Sequence, residues 1–404
     1  MSTTDNVAAT PAASTKALHD ATASAANTTR SAPDVAVIGG GLVGTAIAYG
    51  LARIGQRVVL FDEGDIAWRA SRGNFGLVWV QGKGLGLPQY SGWTQLSARR
   101  WPELARMLEN ETGIDVKLEQ PGGFHFCLSE REMAVRLEML NRLVEQPGIE
   151  RYDVETLDHA QVAARVPGIG PDVVGATFTA LDGHVNALKL LRALHASYAR
   201  HSGGYRPQTR IEKIVPIAGG FRIAASTATS GATIEVPKVV VAAGLGNFAL
   251  GADVGLHVPV RPQRGQIVVL ERVRRFLEYP IATLRQTDEG TVLIGDSQEE
   301  AGFDDTTGMA ILATLADRAQ RIFPALRDVR ITRTWAALRV MSPDGFPIYA
   351  QSPAHRGAFV ATCHSGVTLA AAHALDLAPA IADGGLGERF QPFSPERFDV
   401  SKAA

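Results

Sequence analysis

The feature that most constrains the fold of this chain is a glycine-rich turn between a short apolar run and a helical pattern. Val35–Ile38 has the composition of a buried strand, and Leu42–Ile54 carries small residues at helical spacing until Gly55 ends the pattern. Arg57–Phe61 predicts a second buried strand. Two strands joined through one helix predict a β-α-β unit, in which the strands are parallel. We therefore expect an α/β protein that begins with a parallel sheet.

The turn itself has the spacing of a dinucleotide-binding motif. It reads Gly39-Gly40-Gly41-Leu42-Val43-Gly44. The first glycine permits the tight turn, the third lets the backbone approach a pyrophosphate, and the last lets the helix pack on the sheet. The amides of Leu42 and Val43 lie at the helix start, where they would stabilise phosphate charge. The candidate phosphate-binding residues are therefore Gly39, Gly41, Leu42, Val43 and Gly44.

An acidic residue follows the glycines at the distance that is typical of a dinucleotide-binding motif. Asp62 ends the second strand, about 20 residues after the glycines, where a carboxylate can accept hydrogen bonds from ribose hydroxyls. Its neighbour Glu63 is the second candidate, but successive strand residues point to opposite faces, which favours a solvated surface charge for Glu63. Strand, glycine turn, helix and acid together predict a dinucleotide site. They do not decide between FAD and NAD.

Three later segments favour a flavin, because the chain does not continue with the alternating strands and helices of a nicotinamide enzyme. The first is a polar loop with the candidates Ser71, Arg72, Asn74, Phe75, Gly76 and Leu77. An arginine fork suits phosphate, and glycine lets the backbone run close to a flat ring. The second is a strand that ends at Ala243 and Gly244, which suggests another close backbone approach. An ordinary surface loop and a plain strand-to-loop turn are the respective alternatives.

The third segment lies between a late strand and a helix predicted over Val367–Ala382. It contributes the candidates His364, Ser365, Gly366, Val367 and Thr368. Amides at a helix start could face the N1/C2 carbonyl region of a flavin and stabilise its reduced, anionic form. For His364 a structural role is an equal alternative.

Arg339 is the candidate for binding a substrate. It ends the largely apolar segment Thr334–Arg339, and a cation buried there needs an anionic partner. A substrate carboxylate, held by bidentate pairing, is one such partner, and a structural ion pair with Asp344 is the alternative. Asp344-Gly345 after Pro343 predicts a tight turn. Three weaker pocket candidates, for which a structural or surface role is favoured, are Arg285, Gln266 and His184.

Composition narrows the class of protein. A formal net charge of −1 gives no reason to expect a nucleic-acid or anionic-membrane partner, and the apolar runs are too short to span a bilayer. Two distant cysteines, Cys127 and Cys363, fit a reduced cytoplasmic protein, and we expect no metal site. Residues 1–33, rich in Ala, Thr and Ser, predict a disordered tail.

These segments together resemble the D-amino-acid oxidase and glycine/sarcosine oxidase superfamily of flavoproteins. Within it the chain looks most like the flavin-bearing β subunits of bacterial opine oxidases and D-hydroxyproline dehydrogenases. The resemblance runs from about Asp34 to Phe398 and is carried by VAVIGGGLVG, ASRGNFGLVW, ALDGHVNALKL, VVVAAG, RPQRGQIVV, RQTDEGTVLIGDS, TWAALRVMSPDGFPIYA and CHSGVTLA.

The resemblance implies a Rossmann-like FAD-binding domain of the glutathione-reductase type, interleaved with an α+β substrate domain built on an antiparallel sheet. We expect the first domain over residues 34–115, 181–256 and 330–398, and the second over 116–180 and 257–329. The resemblance also assigns the candidates above to FAD, adds Ile211 beside the adenine, and gives Arg339 a carboxylate-binding role. The ribose acid is commonly Glu in the superfamily, and here it is Asp62. The loop from Arg69 to Gly76 holds no His or Cys, so we expect FAD to be non-covalent.

The implied activity is oxidation of the C–N bond of a small amino acid, such as D-hydroxyproline, another D-amino acid or an opine, by hydride transfer to flavin N5. The chain would be the flavin-bearing subunit of a hetero-oligomer whose partners carry further redox centres. It would be cytoplasmic, with a peripheral position at the inner membrane through those partners as an option. The alternatives are a stand-alone glycine, sarcosine or D-amino-acid oxidase that makes hydrogen peroxide, and a subunit that binds FAD only for structure or assembly.

Overall fold

The glycine turn joins the central strand of a parallel sheet to the first helix, as the sequence predicts. A computed structural model of the protein describes residues 32–64, 70–201 and 203–399. The predicted N-terminal tail lies outside the described residues up to residue 31, and so does Arg69 of the predicted cofactor loop. The described residues from Pro33 onward form one compact unit.

A six-stranded sheet carries the glycine turn. Its strands are β1 (Val35–Ile38), β2 (Val58–Phe61), β8 (Gly204–Arg206), β12 (Lys238–Val241), β17 (Ile348–Gln351) and β18 (Ala358–Thr362). The order across the sheet is β17-β18-β12-β1-β2-β8, and every neighbouring pair is parallel except β17 with β18. Because β1 lies between β12 and β2, the carboxyl ends of all three strands meet at the glycine turn.

The remaining sheets are antiparallel. The largest has the order β14-β15-β13-β16, with β13 (Arg261–Arg272), β14 (Leu284–Gln286), β15 (Thr291–Ile294) and β16 (Ile331–Met341). A second has the order β4-β6-β5, with β4 (Gly123–Cys127), β5 (Glu155–Asp158) and β6 (Gly175–Thr179). A third has the order β11-β10-β9, with β9 (Arg210–Ile217), β10 (Gly220–Ser226) and β11 (Gly231–Val236). A short pair joins β3 (Leu77–Val78) to β7 (Gly183–His184).

Eight helices of the described residues connect these strands. They are α1 (Leu42–Arg53), α2 (Pro88–Thr112), α3 (Glu130–Glu145), α4 (His159–Arg165), α5 (Ala187–Arg200), α6 (Asn247–Asp253), α7 (Met309–Ile322) and α8 (370–382). Helix α3 starts where Ser129 caps it by accepting the amide of Glu132 at 3.2 Å. Helix α8 contains a π-helical segment, His373–Leu377, which apolar periodicity cannot reveal.

The parallel sheet is covered on both faces. One face packs against α1, α2, α5 and α8 in the largest apolar core. The other face packs against the β9–β11 sheet, with Phe61, Ile211 and Ile223 among its buried residues. A separate core lies between the β4–β6 and β13–β15 strands and α7, and Phe124 is fully buried in it. Backbone hydrogen bonds between Phe124 and residues 280–282 connect those two antiparallel sheets.

The sequence further predicts a hairpin around Gly219-Gly220 and a strand over Ile281–Arg285. The β-α-β unit at the glycine turn is confirmed by β1, α1 and β2, and the hairpin by β9 and β10. Two predictions need correction. The strand predicted over Ile281–Arg285 begins only at Leu284, and the late helix begins at Ala370, not at Val367. Residues 366–369 form a hydrogen-bonded turn instead, because Leu369 N donates to Ser365 O at 3.0 Å.

The predicted division into two interleaved domains stays a prediction. All six strands of the parallel sheet fall in the ranges predicted for FAD binding. Strand β16 falls there too, yet it pairs with β13 along ten residue pairs from Arg261↔Met341 to Leu270↔Ile331. The predicted boundary at residue 330 therefore runs through the antiparallel sheet.

None of the helices within the described ranges is long and apolar enough to cross a membrane.

We predict that Gly50→Ala destabilises the protein. A Cβ on Gly50 of α1 would come within 2.2 Å of the carbonyl oxygen of Ala374 in α8, and backbone atoms there cannot move without separating the two helices. Overpacking of this kind costs about 1–3 kcal/mol. The free energy of unfolding from chemical denaturation measures the loss. Gly231→Ala is the matched control, since its Cβ would meet nothing closer than 3.9 Å. Equal stability of both variants would contradict the packing described here.

Candidate cofactor and substrate site

The glycine turn is held by backbone contacts that exclude side chains. Gly39 has φ +110°, and a Cβ there would lie 2.3 Å from the carbonyl oxygen of Ala242 at the end of β12. A Cβ on Gly44 would lie 1.9 Å from the carbonyl oxygen of Gly39. These distances explain why the turn requires glycine at both positions. They also bring the start of α1 directly onto the sheet.

The start of α1 offers backbone amide groups that can donate hydrogen bonds to an anion. Gly41 is the N-cap residue without a side-chain cap, and the first turn carries no acidic residue. The amide of Leu42 donates to Ser71 Oγ at 2.9 Å, and a Cβ on Gly41 would come equally close to that oxygen. The first amides of a helix have no partner within the helix, so this end can bind phosphate oxygens. The predicted candidates Gly39, Gly41, Leu42, Val43, Gly44 and Ser71 therefore lie together.

Asp62, and not Glu63, faces the turn. The side chain of Asp62 is 8% exposed, and its Oδ2 accepts the amide of Gly40 at 2.7 Å while Oδ1 accepts the amide of Gly64 at 3.1 Å. Glu63 is exposed. The burial of Asp62 and the exposure of Glu63 agree with the prediction, although β2 ends at Phe61 and both residues follow the strand. A role of Asp62 toward a ribose remains a prediction.

The polar loop that begins at residue 70 lies across the antiparallel sheet. Asn74 Oδ1 accepts the amide of Gly76 at 2.7 Å, and Gly76 has φ +93°. The ring of Phe75 packs with Ile267 and Trp335 on that sheet. Arg72 is exposed. This loop therefore forms one wall of the site.

Three weaker candidates have structural roles, as favoured from the sequence. Arg285 is buried and its Nε donates to the carbonyl oxygen of Phe75, which holds the loop in place. His184 lies 3.3 Å from Arg285 Nη1, and Gln266 bonds to Glu299 at 2.9 Å. None of the three lines the cavity described below.

The late segment lies beside the first glycine turn. A Cβ on Gly366 would stand 3.6 Å from side-chain atoms of both Leu42 and Val43. Thr368 Oγ1 donates to the carbonyl oxygen of Leu77 at 3.2 Å and accepts the amide of Trp79 at 3.1 Å. Segments about 290 residues apart in the sequence therefore form one continuous surface around the start of α1.

Two predicted contacts lie further along the sheet. Ala243 N donates to Asn247 Oδ1 at 2.7 Å, and Gly244 has φ +60° and packs near Val340. Ile211 is buried in the core between the parallel sheet and the β9–β11 sheet. Their contacts with a cofactor stay predictions. Asn247 was not identified from the sequence, since its side chain acts on a backbone atom within the turn.

A cavity of about 440 Å³ opens where these segments meet the antiparallel sheet. Its walls include eight of the predicted residues: Asn74, Phe75, Leu77, Arg339, His364, Ser365, Val367 and Thr368. Apolar lining comes from Trp79, Ile267 and Met341. Concave sites with apolar walls and a few fixed polar groups are typical of cofactor and substrate pockets.

Arg339 reaches this cavity from β16. Its Nη1 donates to the carbonyl oxygen of Ser297 at 2.6 Å, and its guanidinium lies over Gly265, where a Cβ would be 2.6 Å from Nη1. The structural alternative is wrong, because Asp344 pairs with Arg397 at 2.7 Å and forms the predicted tight turn with Gly345. Among the described residues no carboxylate lies within ion-pair distance of Arg339. Burial lowers the pKa of this guanidinium, and Asp296 and Glu299 oppose that shift from further away.

Lys83 is a cavity residue that the sequence analysis missed. Its Nζ donates to Ser365 Oγ at 2.7 Å and lies 3.3 Å from His364 Nε2. Tyr90 Oη also donates to Ser365 Oγ at 2.9 Å. Burial lowers the pKa of Lys83 to about 8 and that of His364 to about 3, so the histidine is neutral at pH 7 while the lysine is largely protonated. A signal was available, because Gln81-Gly82-Lys83 begins four residues after the predicted cofactor loop, which ends at Leu77.

The cavity has a second missed group on the side of the β4–β6 sheet. Arg136 of α3 is 8% exposed and lines the cavity together with His125 of β4 and Gln81. Asp182, fully buried, accepts the amide of Val80 at 2.5 Å and Gln81 Nε2 at 2.7 Å, which fixes the chain beside Lys83. Burial raises the pKa of Asp182 to about 7. In sequence Arg136 looks like one more charge on an amphipathic helix, so no pattern singles it out.

Asp296 also lines the cavity and is exposed. Asp296 has φ +82°, a region that non-glycine residues seldom adopt and that is most often found at functional sites. Protein atoms surround the carboxylate on its other sides and raise its pKa, while Arg339 and Lys83 act in the opposite direction. The lining residues within the described ranges thus include three cations, Lys83, Arg136 and Arg339, and one acid.

The fold and this site together define a flavin-dependent oxidoreductase. The chain matches the DAO family, the FAD dependent oxidoreductases, over residues 34–379, and it belongs to that family. It is 45% identical to an opine oxidase subunit of Agrobacterium tumefaciens (strain Ach5) over 370 residues, which cover 92% of this chain and 99% of that protein. The corresponding opine oxidase subunit of Rhizobium meliloti is also 45% identical, over 372 residues and with the same coverage.

A solved structure has the same fold. The crystal structure of glycine oxidase from Geobacillus kaustophilus superposes with a TM-score of 0.80 at 25% identity and covers 90% of this chain and 98% of that one. The cofactor of the family fits the residues present, since Gly39, Gly41 and Gly44 leave the start of α1 free of side chains and Asp62 lies beside it. The prediction of FAD as cofactor is therefore confirmed. Its non-covalent attachment remains a prediction.

We predict that Asp62→Ala weakens FAD binding while Glu63→Ala does not. A hydrogen bond to a charged group contributes about 1.5–3 kcal/mol, so the FAD dissociation constant of the first variant should rise roughly 10- to 100-fold. Flavin fluorescence during reconstitution of the apoprotein measures it. The second variant removes the same charge one residue away from an exposed position. Equal losses in both variants would show that Asp62 makes no specific contact.

Proposed function

We propose that this protein oxidises the C–N bond of an amino acid, with Arg339 holding the substrate carboxylate. The observation that carries the proposal is a partly buried guanidinium that lines the cavity and has no carboxylate partner among the described residues. A buried cation is costly unless an anion pairs with it, and a planar fork suits a carboxylate. The names of the relatives, an opine oxidase subunit and glycine oxidase, support an amine-bearing acid as substrate.

The residues of the chain orient the substrate and exclude water. When bound, FAD supplies the hydride acceptor at N5. Arg339 is held by Ser297 and by the space over Gly265, so its fork points in a fixed direction. Trp79, Ile267 and Met341 provide apolar walls that keep water from the reacting carbon. In this proposal the chain contributes to catalysis mainly by orienting the substrate, and not through a general base.

The net charge of the cavity also favours the neutral form of the substrate amine. A hydride leaves the α-carbon only when the neighbouring nitrogen has a free electron pair, so the ammonium form must lose its proton. Nearby cations disfavour a further positive charge and lower the pKa of that ammonium group. Lys83, Arg136 and Arg339 outnumber Asp296, which makes the neutral amine the favoured form. No strong general base is required.

We further propose that the chain is one subunit of a larger enzyme and works in the cytoplasm. The relatives with 45% identity over nearly their whole length are named as subunits, which supports a partner that takes up the electrons. Both cysteines are free thiols, Cys127 buried and Cys363 partly buried, as expected for a reducing compartment.

Anaerobic bleaching of the bound flavin tests the proposed activity. A panel of D-amino acids, N-methyl amino acids and opines should contain compounds that bleach the wild-type protein within seconds. Arg339→Met should lower the rate constant at limiting substrate roughly 100-fold, because a charged, bidentate contact is lost. Arg333→Met is the control, since Arg333 lies exposed on the same strand. Failure of every compound to bleach the flavin would reject the activity, and fast reoxidation by air would favour the oxidase alternative.

We predict that carboxylate binding weakens as Lys83 loses its proton. The lysine is charged below its pKa of about 8 and neutral above it, so the dissociation constant of propionate should rise by up to about 20-fold between pH 7.5 and 9.5. Three groups around Nζ do not titrate in this window, because His364 is already neutral, the pKa of Cys363 is raised to about 12 and that of Tyr90 is raised well above its usual value. Asp182, whose pKa burial raises to about 7, is mostly ionised at pH 7.5 and completes its ionisation at the start of the window.

The flavin absorption spectrum reports propionate binding without turnover. Lys83→Met should bind propionate more weakly at pH 7.5 and show no further loss up to pH 9.5. A variant that keeps the wild-type pH dependence would assign the effect to another group.

A further inference from the structure

Lys83 lies on a segment whose backbone is fixed on both sides. Its neighbours Gly82 and Gly84 have φ +80° and +96°, a region that favours glycine. The amide of Gly82 donates to Tyr152 Oη at 3.1 Å. The carbonyl oxygen of Gly84 accepts a hydrogen bond from Gln146 Nε2 at 2.7 Å. The lysine side chain therefore leaves the backbone at a defined point and extends into the cavity that it lines.

The amine of Lys83 ends in a chain of neutral hydrogen-bonding groups. Its Nζ donates to Ser365 Oγ at 2.7 Å, and Tyr90 Oη donates to the same oxygen at 2.9 Å. With two donors on its oxygen, the Ser365 hydroxyl directs its own hydrogen at His364 Nε2, 3.1 Å away. In the part of the chain that the structure describes, no carboxylate lies within ion-pair distance of Nζ. The amine can therefore lose a proton without breaking an ion pair.

Part of the Lys83 side chain is present as the free amine near neutral pH. Burial lowers its pKa to about 8. Cys363 and the carboxylates of Asp296 and Asp182 oppose this shift, and the guanidinium of Arg339 adds to it. At pH 7.5 roughly a quarter of the amine is therefore unprotonated, compared with about 0.1% for an exposed lysine. The unprotonated amine is the form that attacks a carbonyl carbon.

The proposed oxidation produces a carbonyl compound in this cavity. Hydrolysis of the imine gives a 2-oxo acid, whose electrophilic carbon is bonded directly to a carboxylate. Arg339 lines the same cavity as Lys83, and its Nη1 is fixed by the carbonyl oxygen of Ser297 at 2.6 Å. A 2-oxo acid whose carboxylate binds Arg339 therefore presents its carbonyl carbon inside the cavity that contains Nζ.

We propose that Lys83 is a nucleophile that condenses with 2-oxo acids to form an imine, so that this cavity captures a product as a reversible covalent adduct. The oxidation itself does not require this second reaction. The inference rests on the proposed function for the source of the 2-oxo acid and for the contact between Arg339 and its carboxylate. The consequence is a slow, reversible inhibition of the protein by 2-oxo acids.

The condensation balances without an oxidant or a reductant. The lone pair of Nζ forms a C–N bond to the carbonyl carbon, and a proton moves from the nitrogen to the oxygen to give a carbinolamine. The nitrogen lone pair then expels the hydroxyl, which leaves as water with the last N–H proton, and a C=N bond remains. Ser365 and Tyr90, joined to Nζ by hydrogen bonds, can carry the protons that these steps move. Addition of water reverses the reaction and frees Lys83.

Chemical trapping on the wild-type holoenzyme tests the adduct. Pyruvate and sodium cyanoborohydride are added at pH 7.5, where the reductant converts an imine into a stable secondary amine, and peptide mass spectrometry locates the modified lysine. We expect one carboxyethyl group on Lys83 in most chains. Lys117 is the internal control and should stay unmodified, because the neighbouring Asp115 raises its pKa. Equal modification of both lysines, or none of Lys83, would overturn the proposal.

A pair of carbonyl compounds tests the part that Arg339 takes. Methyl pyruvate has the same electrophilic carbon as pyruvate but lacks the carboxylate charge. We expect pyruvate to modify Lys83 roughly 100-fold faster at limiting concentration, as a charged, bidentate contact predicts, and Arg339→Met to remove the difference. Arg333→Met should keep it, since Arg333 lies exposed on the same strand. Equal rates of the two compounds in the wild-type protein would overturn the proposed orientation.

The flavin absorption spectrum gives a second readout, without a reductant. Propionate and pyruvate have the same carboxylate and the same chain length, and only pyruvate has a carbonyl group. Pyruvate should change the spectrum in a fast binding phase and then in a slow phase that reverses on dilution, whereas propionate should give the fast phase alone. Lys83→Arg keeps the charge without a nucleophilic amine and should lose only the slow phase. A slow phase that survives in Lys83→Arg would contradict the proposal.

Anaerobic bleaching separates this inference from the function on which it rests. If compounds of the amine panel bleach the flavin but pyruvate leaves Lys83 unmodified, the inference fails and the proposed function stands. If no compound of the panel bleaches the flavin, the proposed function fails, whatever the outcome with pyruvate.

Discussion

The contact on which the rest of the structure depends is the approach of α1 to the ends of three parallel strands. Gly44 meets the carbonyl oxygen of Gly39, and Gly39 meets that of Ala242, at distances that leave no room for a Cβ. The helix start is thereby fixed over β1, where the amide of Leu42 donates to Ser71 Oγ. Because Gly366 packs against Leu42 and Val43, the late segment is positioned by the same contact. The cavity wall formed by His364 to Thr368 therefore depends on residues more than 300 positions earlier.

Local sequence rules predicted much of this framework. The β1-α1-β2 unit follows from patterns within a few residues of each other. Some elements were missed from the sequence or predicted with the wrong bounds. These are the elements whose formation depends on tertiary contacts. Strand β5 is mostly exposed and has no alternating pattern. The turn at 366–369 replaces the first turn of the predicted helix, since Thr368 is engaged by Leu77 and Trp79.

The sequence predicted the glycines of the site, but it identified only some of its charged residues. Such glycines can be identified from the sequence because the backbone geometry at their positions leaves no room for a side chain. A cation such as Lys83 or Arg136 has no such signature, since its function depends on what surrounds it after folding. Lys83 becomes a cavity residue only because Asp182, about 100 residues later, fixes Val80 and Gln81. Arg136 becomes one only because α3 packs where Thr177 and Gln81 can hold it.

The arrangement of these cations connects substrate selection with reactivity. In the proposed function, charges spread over β16, α3 and the loop at Lys83 hold an anionic substrate at several points, and the same charges lower the proton affinity of its nitrogen. A single cation of equal strength would fix one end only and leave the C–H bond free to swing away from the cofactor. An enzyme without a strong base therefore benefits from several weaker contacts at separate places. This is a physical reason for building the cavity between β16, which contributes Arg339, and α3, which contributes Arg136.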